Sequence, residues 1–255
     1  MPTVSFSYMI TASMATPMAD FGYAVRVPAS SERQLLKRLH FTFPPGSSGA
    51  AKQDPLGNHI LTGIRHGTTA RLAFTVSGKA RIDPEQFEDG PPDQYTEPTS
   101  RTHVGAFLRL FYLHHSAVGD DVDRARHFCM MLREDFSCRP GFAARDTAEE
   151  AMEARSGAPE DAAHIILSLC RLDHIAARFV SGLTSHGPSA WIEVWDGRHW
   201  IPIDPRTGEV CDHCFLKIAH GRDGDDVALA ALSKGCRLTH VEIHSTLTVD
   251  HSSTH

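Results

Sequence analysis

A chain of 255 residues with 41% hydrophobic and 22% charged side chains has ordinary globular proportions, which excludes a disordered or fibrous polypeptide. Its formal net charge of −6 comes with scattered Lys and Arg rather than a basic block, so nucleic acid is excluded as an expected partner. No apolar run reaches the roughly 18 residues needed to cross a bilayer, and the opening MPTVSFSYMITASM lacks the basic start and continuous apolar stretch of a secretion signal; a cytoplasmic protein with no membrane partner is expected.

Along residues 1–82, short apolar runs (TVSFSYMI, FGYAVRV, HFTFPP, NHILTGI, TARLAFTVSG) alternate with turn residues, the pattern of β-strands in a sandwich-like N-terminal domain. Asp54, Pro55, Gly57 and Asn58 mark a turn, and the two runs flanking Arg65-His66-Gly67 predict a hairpin. Residues 83–100 (DPEQFEDGPPDQYTEPTS) are rich in Pro and acid without periodicity and read as an exposed linker. Residues 101–255 then form a second domain that begins helical. From Asp120 to Ser137, the positions Val122, Ala125, Cys129, Leu132 and Phe136 recur at helical spacing. Asp146-Thr147 before Glu149 and Glu150 starts a short helix, because a cap oxygen and first-turn acids satisfy free N–H groups, and Gly157 is expected to end it. The next helix starts at Pro159, whose missing N–H costs nothing in a first turn, with Glu160 and Asp161 at its positive end. Its core face is Ala162, Ile165, Ile166, Leu169 and Leu172. Three strand-like runs follow, ARFVSGLT, AWIEVW and HWIPID, with Asp196-Gly197 as the hairpin turn between the last two. Helices followed by an antiparallel sheet make the fold class α+β.

Residues 136–223 contain an ordered series of motifs. FSCRPGFAARDTAEEAMEARSGAPEDAAH places Gly157, Asp161, Ala163 and His164 in fixed register; ARFVSG, AWIEVW, WIPIDPRTG and KIAHGRDGDDVA follow in order. Together they resemble the bacterial transglutaminase-like domain, of the papain-like cysteine hydrolase and transamidase class, with its Arg-x-Gly-Val-Cys-x-Asp-Phe-Ala-His, Ala-Arg-Tyr-Val-Ser-Gly, His-Ala-Trp-Val-Glu-Val, Trp-x-x-x-Asp-Pro-Thr-Asn-Gly and Gly-Arg-Asp-x-x-Asp-Val-Ala segments. The resemblance implies a papain-like core of helices on an antiparallel sheet, preceded by a β-rich domain. It also implies a catalytic thiolate at a helix N-terminus, where free N–H groups lower its pKa, a strand histidine as base, and an aspartate orienting the imidazole.

Carried over, the aspartate is Asp204, but the thiol position falls on Pro159 and the imidazole position on Ser189. Proline has no nucleophile, and serine is no base near neutral pH. Cys170, eleven residues further along the same helix, is over 15 Å away at about 1.5 Å per residue and reads as core. His186 precedes Ser189 by three residues and offers a replacement Ser-His-Asp set with Asp204; its bland alternative is a surface histidine. His164 retains the family's histidine and reads first as a packing residue, as Asp161 reads as a helix-dipole residue. Two functions follow. One is a pseudoenzyme with a degenerate triad, binding a peptide, protein or small ligand in the inherited groove. The other is a repurposed enzyme performing hydrolytic or metal-assisted work with His164, Ser189, Asp204 and nearby His186 or Glu193. The six cysteines are expected to be reduced. No cofactor is expected; the alternative is zinc at Cys211, His213 and Cys214, completed by Cys236 and His240 only through distant folding.

Overall fold

The computed structural model describes residues 3–90, 92–139, 144–233 and 238–250, with the side chains of 238–241 outside that description. The turn PGFA within the first family-like stretch, and Cys236 together with the His240 side chain, therefore lie outside the described residues. No helix among the described residues is long and apolar enough to cross a membrane.

The N-terminal region is a sandwich of two four-stranded sheets. Its strands are β1 (Thr3–Met18), β2 (Phe21–Arg26), β3 (Gln34–Thr42), β4 (Ser47–Gln53), β5 (His59–Arg65) and β6 (Thr69–Ile82). Period-two alternation buries Val4, Phe6, Tyr8, Ile10 and Ala12 from β1 and Leu72, Phe74 and Val76 from β6. Those faces meet Phe21, Tyr23 and Val25 of β2, and the Tyr23 and Phe74 rings stand 5.1 Å apart across the layer. The expected hairpin around His66 does not form. β5 pairs with β2 and β4, whereas β6 pairs with β1 and β3. The inward residues of the two runs, Leu61 and Leu72, serve opposite layers, so the short loop crosses the sandwich instead of joining neighbours.

Two late strands, β13 (Ala230–Leu232) and β14 (Leu238–Asp250), return to this region. Sheet orders are β14-β1-β6-β3 and β13-β2-β5-β4. Residues assigned from sequence to the second domain thus complete both layers of the first, and β14 also packs on the core sheet. Residues 83–100 are not a free linker. Trp200 donates its backbone N–H to the Glu88 carbonyl at 2.8 Å, and the buried Tyr95 ring packs edge-on to Trp200 at 5.2 Å.

The second unit is α+β. It contains α1 (Ala106–His115), α2 (Asp121–Asp135), α3 (Ala148–Ala154) and α4 (Pro159–Leu172), and a short parallel pair, β7 (Ser137–Cys138) with β8 (Ser156–Gly157). Of these, α4 and α2 pack on an antiparallel sheet ordered β11-β10-β9-β12, formed by β9 (Ala177–Thr184), β10 (Gly187–Trp195), β11 (Trp200–Ile203) and β12 (Leu216–Gly221). α2 is capped by Asp120, whose carboxylate accepts the Asp123 N–H at 2.8 Å. Thr147 and Glu150 form a reciprocal capping box on α3. That helix stops before Gly157, because Arg155 takes the left-handed conformation at φ 51°. α4 begins at Pro159 as expected, but it is buried on nearly every side from Pro159 to Arg171 rather than on one stripe. It is the central helix between the sheet and the other helices.

Candidate functional site

The start of α4 is closed down by Asp161. Its carboxylate accepts the Ala158 N–H at 2.7 Å and the Arg145 N–H at 2.8 Å, while the side chain is buried. A Cβ on Gly157 would lie 2.2 Å from that carboxylate, so glycine is needed there for the approach. Asp161 therefore fastens a loop to the helix start. Pro159 is buried at the first helical position and brings no reactive atom. Beside it, burial pushes the Glu160 carboxyl above its ordinary pKa.

On the sheet, Ser189 of β10 lies opposite Gly182 of β9. Its Oγ is buried and has no hydrogen-bond partner among the described residues. Two residues on, the Trp191 indole covers Gly182, where a Cβ would sit 2.3 Å from the ring and 2.2 Å from the Leu216 carbonyl. Gly182 is thus required for the indole to lie flat on this face.

Asp204 follows β11, and its carboxylate is fully engaged two residues later. Arg206 donates its backbone N–H to Oδ1 at 2.9 Å, Nε to Oδ1 at 2.9 Å and Nη2 to Oδ2 at 2.7 Å. Both carboxylate oxygens sit in a two-pronged ion pair, the strong geometry for guanidinium. The signal for this in the sequence is the Arg of WIPIDPRTG, where the family pattern has Thr.

His164 faces elsewhere. Its Nε2 accepts the Gly224 N–H at 3.0 Å and its ring stacks on Phe179 at 4.8 Å, so it anchors the GRDGDD loop. Burial, with Arg101 nearby, lowers its pKa to about 4. No hydrogen bond joins His164, Ser189 and Asp204. His186 is exposed in the β9–β10 turn, 3.3 Å from the Ser185 hydroxyl, and bonds to neither Ser189 nor Asp204. Glu193 is buried in an ion-pair network with Arg178 and Lys217.

Among the described residues, the buried thiols are unreactive by environment. Cys129, Cys170 and Cys211 are buried, and burial pushes Cys170 up to about 12 and the half-buried Cys138 up to about 11. Cys138 lies beside the site, paired with Gly157 and within the field of Arg206 and Asp204. Cys211 packs with Val180 and Trp191. The expected zinc half-site therefore loses its first cysteine, because that sulfur belongs to an apolar cluster.

His164 and His220 give the fold a definite acid response. Burial lowers His220 to about 2 against an ordinary 6.5, and His164 to about 4. Both folded-state values lie below the unfolded one, so the unfolded chain gains protons first and stability falls as pH drops below about 6.5. The expected loss between pH 7.5 and 5.5 is about 2–3 kcal/mol, from about 1.4 kcal/mol per proton per pH unit. Urea midpoints across that range check it; a flat profile would show that these rings are solvated in the folded protein.

Residues 112–205 match the family model of the transglutaminase-like superfamily, a span that includes Pro159, Ser189 and Asp204. Uncharacterized proteins of Mycobacterium bovis and Mycobacterium tuberculosis are each 28% identical over 252 residues, covering 82% of this chain and 80% of their own. A crystal structure from Cytophaga hutchinsonii, described as a candidate cysteine protease, superposes with a TM-score of 0.79 over 99% of this chain and 92% of that one. Its sequence identity is 18%, so the likeness is one of fold.

Proposed function

For this member of the transglutaminase-like superfamily, we propose a pseudoenzyme: a protein without cysteine acyl-transfer chemistry that binds a peptide, protein or small ligand at the inherited site. The observation that carries this reading is the Arg206 ion pair on Asp204. A carboxylate orients an imidazole by accepting its ring N–H. Here both oxygens are taken by a guanidinium, the imidazole position is Ser189, and the thiol position is Pro159. The alternative, a repurposed acid–base pocket, needs His164, Ser189 and Asp204 to converge on one substrate atom. His164 is held by Gly224 and Asp204 by Arg206, which leaves that alternative without support.

The expected result is no hydrolysis of small amides and no amine incorporation into a glutamine peptide above the heat-denatured control. Iodoacetamide at pH 7 should label every native thiol at rates at or below that of free cysteine. Turnover that one fast-reacting cysteine controls would overturn the proposal.

A further inference from the structure

The connection between β11 and β12 brings three different ligating atoms together. Among the described residues, the side chains of Asp212, His213 and Cys214 place a carboxylate oxygen, a ring nitrogen and a sulfur all within 4.8 Å of one another. Consecutive side chains on an extended strand would diverge to opposite faces. Here the turn is curled, because the Asp212 Oδ1 accepts the Cys214 backbone N–H at 2.7 Å.

The backbone behind this turn is fastened. Arg33, 7% exposed, donates Nη2 to the Cys211 carbonyl and, at 3.4 Å, to the Asp212 carbonyl. Cys211 donates its own N–H to the Pro202 carbonyl at 2.9 Å, and its side chain is packed against Trp191. A buried guanidinium and a buried cysteine side chain thus hold the backbone of this loop, on which Asp212 is exposed and His213 and Cys214 are half-buried. Such outer support is what orients the ligands of a metal centre.

We propose that Asp212, His213 and Cys214 form a three-ligand site for a borderline-soft divalent ion of the zinc or cobalt class, with a fourth position open to water or an external ligand. The donor set excludes the hard ions, since calcium and magnesium select oxygen alone. Tetrahedral bonds of about 2.0–2.3 Å put ligand atoms roughly 3.3–3.8 Å apart, so closure requires a contraction of about 1 Å by partly exposed side chains. On binding, the ion takes the thiolate sulfur and the thiol proton passes to solvent. The Cys-x-x-Cys spacing is misleading here: Asp212 takes the ligand role that Cys211 cannot.

Cobalt(II) titration of the metal-free full chain tests the site. One equivalent should produce a sulfur-to-cobalt charge-transfer band that zinc displaces. Cys214→Ser should abolish the band, and His213→Ala should weaken binding at least tenfold. Asp212→Asn, which keeps an Oδ1 for the Cys214 N–H and so keeps the turn, should weaken it comparably. Cys138→Ser should leave it unchanged. Circular dichroism confirms that each variant is folded. No band in the parent protein, a band that survives Cys214→Ser, or His213→Ala binding within twofold of the parent would each overturn the assignment.

Discussion

Replacing Glu193 by Gln should lower the unfolding free energy by about 3–5 kcal/mol, the range for breaking a buried ion pair and leaving its partner uncompensated. Glu193 accepts Arg178 Nε at 2.6 Å and Lys217 Nζ at 2.8 Å. Glu88, reaching in from the segment before α1, takes the other prong of Arg178 at 2.7 Å and also pairs with Lys217. Burial alone would raise the Glu88 carboxyl, but Lys217 and Arg178 together hold it well below the usual range. The Arg178 guanidinium lies over the Trp200 ring at 4.4 Å, and Arg33 is buried nearby with carbonyl partners. Two buried cations, Arg178 and Arg33, and the part-buried Lys217 thus surround two carboxylates, and the substitution removes one carboxylate at almost constant shape. Breaking the solvent-facing Lys79 and Asp250 pair should cost far less, because water and salt screen it. Denaturant midpoints at one pH and salt compare the two. A Glu193→Gln loss under about 1 kcal/mol would deny it a structural role and restore it as a candidate for chemistry.

What could be read from the sequence divides along local and distant causes. The α4 start at Pro159, the capping box at Thr147 and the β10–β11 turn at Asp196-Gly197 each depend on neighbouring residues, and each is where the pattern put it. α1 escaped because its cap is not local. Gly105 has no capping side chain, and the N–H groups of Gly105, Phe107 and Leu108 are satisfied by the Glu149 carboxylate from α3, at 3.0, 2.7 and 3.2 Å. Distance in sequence likewise hid the pairing of β14 with β1 and the seating of Glu88 against Arg178. At the site, the motif series points to Pro159, Ser189 and Asp204 by resemblance. It did not reveal that His164 turns toward Gly224, because a residue's type and spacing do not state which side-chain atom finds which partner.

Arg206 makes the inherited site testable in steps. In Pro159→Cys/Ser189→His, the introduced thiol stands at the first turn of α4, where free N–H groups and the helix dipole favour thiolate. Iodoacetamide should then label that position at least tenfold faster than the buried Cys129, Cys170 and Cys211. Amide hydrolysis should nevertheless stay near background, because the carboxylate that would orient the introduced imidazole remains occupied by Arg206. Adding Arg206→Thr restores the Asp-Pro-Thr pattern and removes the guanidinium from both oxygens of Asp204, leaving the backbone N–H of residue 206 on Oδ1. An oriented general base contributes roughly 10²–10⁴ in rate, so kcat/KM of the triple variant should exceed that of the double by about 100-fold or more. The two readouts separate two claims. Slow labelling in both variants would remove Pro159 from the thiol position and with it the register, whereas fast labelling with equal turnover in the double and triple variants would show that the guanidinium does not block the aspartate.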